Sequence, residues 1–118
     1  MALLRSKELH EKYLAYIAKG GLSNGCVLCT KPPITDFTHW KIVLNDFPYD
    51  KFAQIHHMIV PRRHIAENEL SEAEKEEFQR LKAGHINENY DFMIEPTYKL
   101  KSIPSHFHIH LLVIKDDQ

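Results

Sequence analysis

The sequence predicts one α+β domain, on three observations. Two segments carry apolar residues at helical spacing between recognisable caps, and four others are short, apolar and bounded by turn formers. The last of these alternates its side chains with a period of two. A length of 118 residues, 43% hydrophobic and 26% charged, fits a single globular unit over 1–118, with an N-terminal helix in 1–21 and the core in 22–118.

Ser6 caps a first helix whose apolar positions Leu9, Tyr13, Tyr16 and Ile17 share one face, and Gly20 with Gly21 stops it. A loop with Cys26 and Cys29 follows, and Pro32 and Pro33 keep the next stretch irregular. Trp40–Leu44 predicts a strand, Asn45–Asp50 a turn region, and Gln54–Val60 a second strand closed by Pro61. Ser71 and Glu74 have capping-box spacing, so a helix starts there; Phe78 and Leu81 form its apolar stripe, Glu76 and Arg80 an i,i+4 pair, and Gly84 its stop. A short strand at Tyr90–Ile94 and a long one at Ser105–Ile114 form an antiparallel pair across the Glu95–Pro104 connection.

Composition removes several function classes. Four Gly, six Pro and no low-complexity run exclude a collagenous or disordered chain. Fifteen basic against sixteen acidic residues give a net charge of -1, without the basic field of non-specific nucleic-acid binding, so no nucleic-acid partner is expected. Charges at Arg5, Lys7, Glu8, Glu11 and Lys12 interrupt any signal-peptide run, and no segment approaches the roughly 20 apolar residues of a bilayer span. A cytoplasmic protein without membrane contact is the expectation. In a reducing compartment, the Cys26-x-x-Cys29 pair reads as metal ligation or redox exchange rather than a structural disulfide. Its position in a loop after a helix, with no βαβ unit, argues against a thioredoxin-like pair.

Nine histidines are the unusual count, and three of them stand in a row. His106, His108 and His110 alternate with Phe107, Ile109 and Leu111, so on a strand all three imidazoles project from one face with Cα atoms about 7 Å apart in turn. Three imidazoles gain little from β propensity or burial there. A neutral imidazole is a competent nucleophile toward phosphorus, and a neighbour in the other protonation state can move the proton.

The run His106-Phe-His-Ile-His-Leu-Leu112 resembles the signature of the histidine triad (HIT) superfamily, in which three histidines alternate with apolar residues. Phe47-Pro48-Tyr49 and the segment Ile55 to His64, ending Pro61-Arg62-Arg63-His64, are similar to that superfamily's upstream strand and turn, so the likeness covers most of the chain after Cys26. The wording of these segments is closer to galactose-1-phosphate uridylyltransferases and diadenosine tetraphosphate phosphorylases than to small phosphoramidases. The resemblance implies an antiparallel sheet of about five strands with a long helix packed on it, and a symmetric homodimer. It implies a nucleotide hydrolase or nucleotidyltransferase acting at the α-phosphate of a small-molecule nucleotide, with His108 as the nucleophile that forms a nucleotidyl-histidine. His110 and His56 then contact the phosphate or move a proton, with a purely structural His56 equally open, and His106 completes the catalytic row.

The likeness has departures. Where relatives carry Gly-Gln-Ser before the triad, this chain has Lys101-Ser102-Ile103-Pro104-Ser105, which leaves Ser105 and Ser102 as the substrate-binding hydroxyls; Glu95 stands near a nucleotide-contacting Asn of relatives and can accept from a ribose hydroxyl. The alternative is a zinc-stabilised nucleotide-binding or sensing module without turnover. Zinc-bearing relatives complete the cysteine pair with the histidines that here are His64 and His106, implying a structural Zn2+ on Cys26, Cys29, His64 and His106 with no open position. A reduced, metal-free pair is the alternative, with His39 a substitute ligand. Arg62, Arg63, Lys99 and Lys101 are read as steering groups or solvated surface; Tyr13, Tyr16, Trp40, Phe47 and Phe52 as core or dimer contacts; His10, His57 and His85 as surface or packing residues.

Overall fold

A computed structural model describes residues 4–21, 25–101 and 103–116. Helix α1 spans Lys7–Ala18, a one-turn helix α2 spans Val27–Thr30, and strands β1 (Thr35–Asp36), β2 (Trp40–Leu44) and β3 (Ala53–Pro61) follow. Helix α3 (Glu72–Leu81) continues through a π turn at Lys82–Ile86 into α4 (Asn87–Asn89), and β4 (Phe92–Ile94) and β5 (Ile109–Ile114) complete a five-stranded sheet. Its order is β1-β2-β3-β5-β4, and every adjacent pair is antiparallel. Among the described residues, no helix is long and apolar enough to cross a membrane.

Strand alternation divides the sheet into two faces. Trp40, Ile42, Ile59, Phe107, Ile109 and Leu111 point to the α3 side, where Phe78, Leu81, Ile86 and Met93 cover them. Trp40 is fully buried; its ring lies 5.0 Å from Phe78 and 6.1 Å from Phe107, and its indole N–H donates to the Glu74 carbonyl at 2.8 Å. Each such apolar side chain stabilises the fold by roughly 1.5–3 kcal/mol through burial. The opposite face carries Val43, Met58 and Val60 under Leu28, with Tyr49, Ala53 and Leu112 further along. His56, His108 and His110 are buried on this second face.

Both helix starts follow the predicted chemistry. The Ser6 hydroxyl accepts from the Leu9 N–H at 3.2 Å, and Ser71 and Glu74 form the reciprocal box. Helix α1 ends in a Schellman pattern: Gly20 N–H to Ile17 carbonyl, Gly21 N–H to Tyr16 carbonyl, and Gly20 at φ +80°.

Several sequence expectations need correction. Gly84 does not stop the long helix. Its φ is not positive, and the chain runs on so that Ile86, 3% exposed, reaches the core, a gain that exceeds the roughly 1 kcal/mol helix penalty of one glycine. The Glu76–Arg80 pair does not form. The last strand begins at Ile109 rather than Ser105: its pairing with β3 stops at Ile59 opposite Ile109, although β3 runs on beside β2 to Pro61, and the Phe107 N–H turns instead to the Ile65 carbonyl at 2.7 Å. Side-chain alternation nevertheless persists back through His106. Helix α2 and strand β1 were not predicted, and β4 is two residues shorter than the Tyr90–Ile94 expectation.

Candidate functional site

Cys26 caps α2 and Cys29 sits within it, three residues on, so both sulfurs leave the same side of one helical turn. Leu28, 1% exposed, packs on Val43, Met58 and Val60 and pins that turn to the sheet. His64 follows the end of β3 in a turn fastened by Arg63, which donates to both Glu74 carboxylate oxygens at 3.1 and 2.7 Å. The buried Glu74 is held well below the usual carboxylate range, at about 2, chiefly by that guanidinium. His106 is fully buried, and its Nε2–H donates to the Pro61 carbonyl at 2.9 Å, which leaves Nδ1 as the lone-pair nitrogen.

That Nδ1 lies 3.4 Å from Cys26 Sγ and 3.5 Å from Cys29 Sγ, and His64 Nδ1 lies 3.2 Å from Cys29 Sγ. All four donor atoms fall within 4.8 Å of one another, close enough to hold one metal ion. Sulfur and imidazole ligands at 2.0–2.3 Å around a tetrahedral centre stand about 3.3–3.8 Å apart; the three short spacings of 3.2–3.5 Å lie near that range, and the widest, up to 4.8 Å, would contract on an ion. The backbone acceptor on His106 Nε2 is the outer-shell partner that a metal-bound imidazole requires. Burial, with the neighbouring Cys26, pushes the Cys29 thiol up, so with no cation beside it this sulfur stays protonated. The buried Lys41 ammonium closes the back of the loop on the Lys31 and Cys29 carbonyls at 2.9 and 3.4 Å.

The other two histidines of the row meet a third from β3. His108 donates from Nδ1 to the His106 carbonyl at 2.9 Å, which leaves its Nε2 unprotonated when the ring is neutral. The Tyr49 N–H donates to His56 Nδ1 at 3.0 Å, so His56 carries its proton on Nε2 and donates it to His110 Nδ1 at 2.7 Å. His110 in turn keeps its proton on Nε2. Burial, reinforced by their neighbours, drives His56 down to about 3 and His110 to about 2, and burial lowers His108 as well. All three rings are neutral at physiological pH. The His108 and His110 rings stand 5.5 Å apart, edge to face.

His108 and His110 form the floor of a cleft of about 100 Å³ on the sheet face away from α3. Arg5, Tyr13 and Tyr16 of the N-terminal segment, Lys31, the Asn45–Phe47 turn, Tyr49 and Ile103 line it. Asn45 orients this turn by accepting the Phe47 N–H at 2.8 Å. Tyr13, Tyr16 and Phe47, expected as core or dimer contacts, pack on one another and wall the cleft, whereas Trp40 is core.

The remaining candidates fall outside this cleft. Ser105 is exposed in the turn before His106, and Ser102 lies outside the described residues. Glu95 pairs with Lys101 at 2.9 Å and lines a separate groove toward α3. Arg62 pairs with Asp36 and Arg63 with Glu74, so both hold structure rather than a ligand, and His39 is not a member of the Cys–His cluster. His57 and His85 pack around Tyr90. Arg5 and Asn45 went unrecognised in the sequence: a basic residue before a helix reads as solvated, and an asparagine before a turn reads as a turn former.

The cleft therefore presents one unprotonated imidazole nitrogen and one imidazole N–H side by side, next to a Cys–His cluster spaced to hold a metal ion. Searches against protein-family models and curated proteins return no match to this chain.

Proposed function

We propose that the protein is a nucleotide hydrolase or nucleotidyltransferase of the histidine-triad kind, working at the α-phosphate of a nucleoside phosphate derivative through a nucleotidyl-histidine on His108. The observation that carries this reading is the fixed tautomer of His108. With Nδ1–H tied to the His106 carbonyl, Nε2 offers a lone pair at the floor of the cleft.

In the first step His108 Nε2 attacks phosphorus; the P–N bond forms and the bond to the leaving group breaks, its electron pair going to that group, which takes a proton from solvent. In the second step water or an acceptor hydroxyl attacks phosphorus, the P–N bond breaks, and the nucleophile's proton is released, restoring His108. His110 Nε2–H suits a hydrogen bond to a phosphoryl oxygen as charge builds there, and His56 holds His110 in that tautomer. Zinc fits the second part of the reading: Cys26, Cys29, His64 and His106 would hold it as four protein ligands, and it would then supply rigidity rather than chemistry, tying α2 to the residue two before the nucleophile.

The test is intact-protein mass spectrometry after brief incubation with nucleoside phosphoramidates, dinucleoside polyphosphates and nucleotide sugars, with His108→Ala as control. A nucleotide-sized adduct in the wild type alone is the expected result, and its mass gives the base. Bound nucleotide without adduct or released product, in folded protein, overturns the enzyme reading in favour of a binding module.

A further inference from the structure

Arg5 is 6% exposed, among the most secluded charges in the molecule, and its partners do not neutralise it. Its Nε–H donates to the Phe47 carbonyl at 2.6 Å, and its guanidinium carbon lies 4.4 Å above the Tyr13 ring and 5.1 Å from that of Tyr49. Those aromatic faces steady a cation without cancelling its charge. Among the described residues, no carboxylate pairs with Arg5, and its Nη1 and Nη2 groups donate to no protein acceptor. The other cation on the cleft, Lys31, is already paired with Asp46 at 2.8 Å.

A charge withdrawn from water without a counter-ion is expensive, and a guanidinium left with four free N–H donors is shaped to hold an oxyanion in its fork. The Tyr49 ring that neighbours Arg5 also stacks on His56 at 4.4 Å and His110 at 5.2 Å, so the guanidinium and the two imidazoles meet across one aromatic ring. Arg5 lines the same cleft as His108 and His110.

We propose that Arg5, carried on the segment that leads into α1, is a binding residue for the phosphoryl oxygens of the ligand, completing from the N-terminal side an anion site floored by His108 and His110. That the anion is a nucleotide phosphate rests on the reading of the preceding subsection. The site selects ligands with a terminal or bridging phosphate at the histidine end and an uncharged ring toward Tyr13, Tyr16 and Phe47. The N-terminal segment then does more than cover the sheet, because it brings a guanidinium to the cleft that His108 and His110 floor.

The test uses the reaction product, so that it needs no turnover and stands apart from the adduct experiment. Calorimetry of the full chain with the four common nucleoside 5′-monophosphates, and with the matching nucleosides, measures the contribution of the phosphate. In wild type at least one monophosphate binds ten-fold or more tighter than its nucleoside. Arg5→Met, which keeps the stem and removes the charge, brings that ratio to within two-fold of unity while nucleoside affinity stays within two-fold; Arg5→Lys, a point charge without the fork, retains an intermediate ratio. A folded Arg5→Met protein with the wild-type ratio overturns the proposal, as does a wild type that does not distinguish monophosphate from nucleoside. Should Arg5→Met not fold, the Arg5 side-chain Nε–H resonance of the wild type, assigned by its loss in Arg5→Lys, decides. It shifts with monophosphate and not with nucleoside if Arg5 holds the phosphate, and shifts with neither if it does not. Loss of the adduct alone, with this phosphate dependence intact, sinks catalysis and leaves the anion site standing.

Discussion

His56 Nε2 on β3 stands 2.7 Å from His110 Nδ1 on β5, and the Tyr49 backbone N–H behind His56 fixes which of the two donates. Both rings are neutral in the folded chain, with values near 3 and 2, against about 6.5 when unfolded. Below pH 6.5 the unfolded chain therefore takes up protons that the folded one refuses, and stability falls as pH falls from 6.5 toward 3. Each ring contributes a slope of up to about 1.4 kcal/mol per pH unit. Urea midpoints measured from pH 7 to pH 4 at one fixed zinc concentration should decline, and His110→Gln should decline less steeply. Equal slopes in the two proteins would show that the pair is not buried in neutral form.

The Cys–His cluster predicts metal content. The isolated protein should carry one zinc per chain by elemental analysis, and cobalt substitution should give the visible bands of a tetrahedral sulfur–nitrogen site. Cys29→Ser or His64→Ala should weaken metal affinity by more than about 100-fold, since each removes a direct ligand where even outer-shell changes cost 10–100-fold. Chelation should lower the melting temperature of wild type and leave that of Cys29→Ser nearly unchanged. A wild type that melts identically with and without chelator would remove the structural role.

The Arg63–Glu74 bridge fastens the His64 turn to the start of α3, so its loss should be felt at the metal. Glu74→Gln should destabilise by about 1.5–3 kcal/mol, the usual loss for a hydrogen bond to a charged group, and weaken metal affinity by about ten-fold. The carboxylate titrates near 2 when folded against 4.5 ordinarily, so its contribution is complete above pH 4.5 and disappears as pH falls through 2. Competition against a chelator, run on Glu74→Gln and on a surface control such as Glu72→Gln, separates the turn's effect from general charge loss.

Phe107 stands between two site histidines and points the other way, into Trp40 and the α3 face. Phe107→Ala should cost 3–5 kcal/mol, and Phe107→Leu clearly less. Because the residue shares a backbone with His106 and His108, the folded Leu variant should also bind metal more weakly; unchanged metal affinity would show that the histidines are held by their own hydrogen bonds alone.

Local signals were legible wherever one residue type does one job. Trp40–Leu44 has the predicted bounds, because an apolar run ends at turn formers, and Ser71 with Glu74 placed the helix start. Gly84 misled, because a glycine at helical spacing looks like a stop until the pull of Ile86 on the core is known. Ser105–His108 misled for a similar reason: alternation gives the face of a residue, whereas a ladder also needs the two backbones to stay paired, and here the Phe107 N–H leaves β3 for the Ile65 carbonyl. At the site, Cys26 and Cys29 were legible from their spacing, whereas His64 and His106, 35 and 77 residues from Cys29, entered only through the likeness to zinc-bearing relatives. Arg5 was not, since its meaning comes from Tyr13, Tyr49 and Phe47, which the sequence does not place around it.

The π turn at Lys82–Ile86 also bears on how the chain tolerates changes in length. A π turn is a helix accommodating one residue too many, with the flanking turns left in phase. Deleting Ala83 should therefore regularise the helix and leave Phe78 and Ile86 on the core, where the same deletion inside Glu72–Leu81 would rotate every later side chain by about a quarter turn. The middle of the longest helix is in this sense the molecule's spare link, a place where a reading-frame-preserving loss can be absorbed without moving the histidine floor on the other side of the sheet.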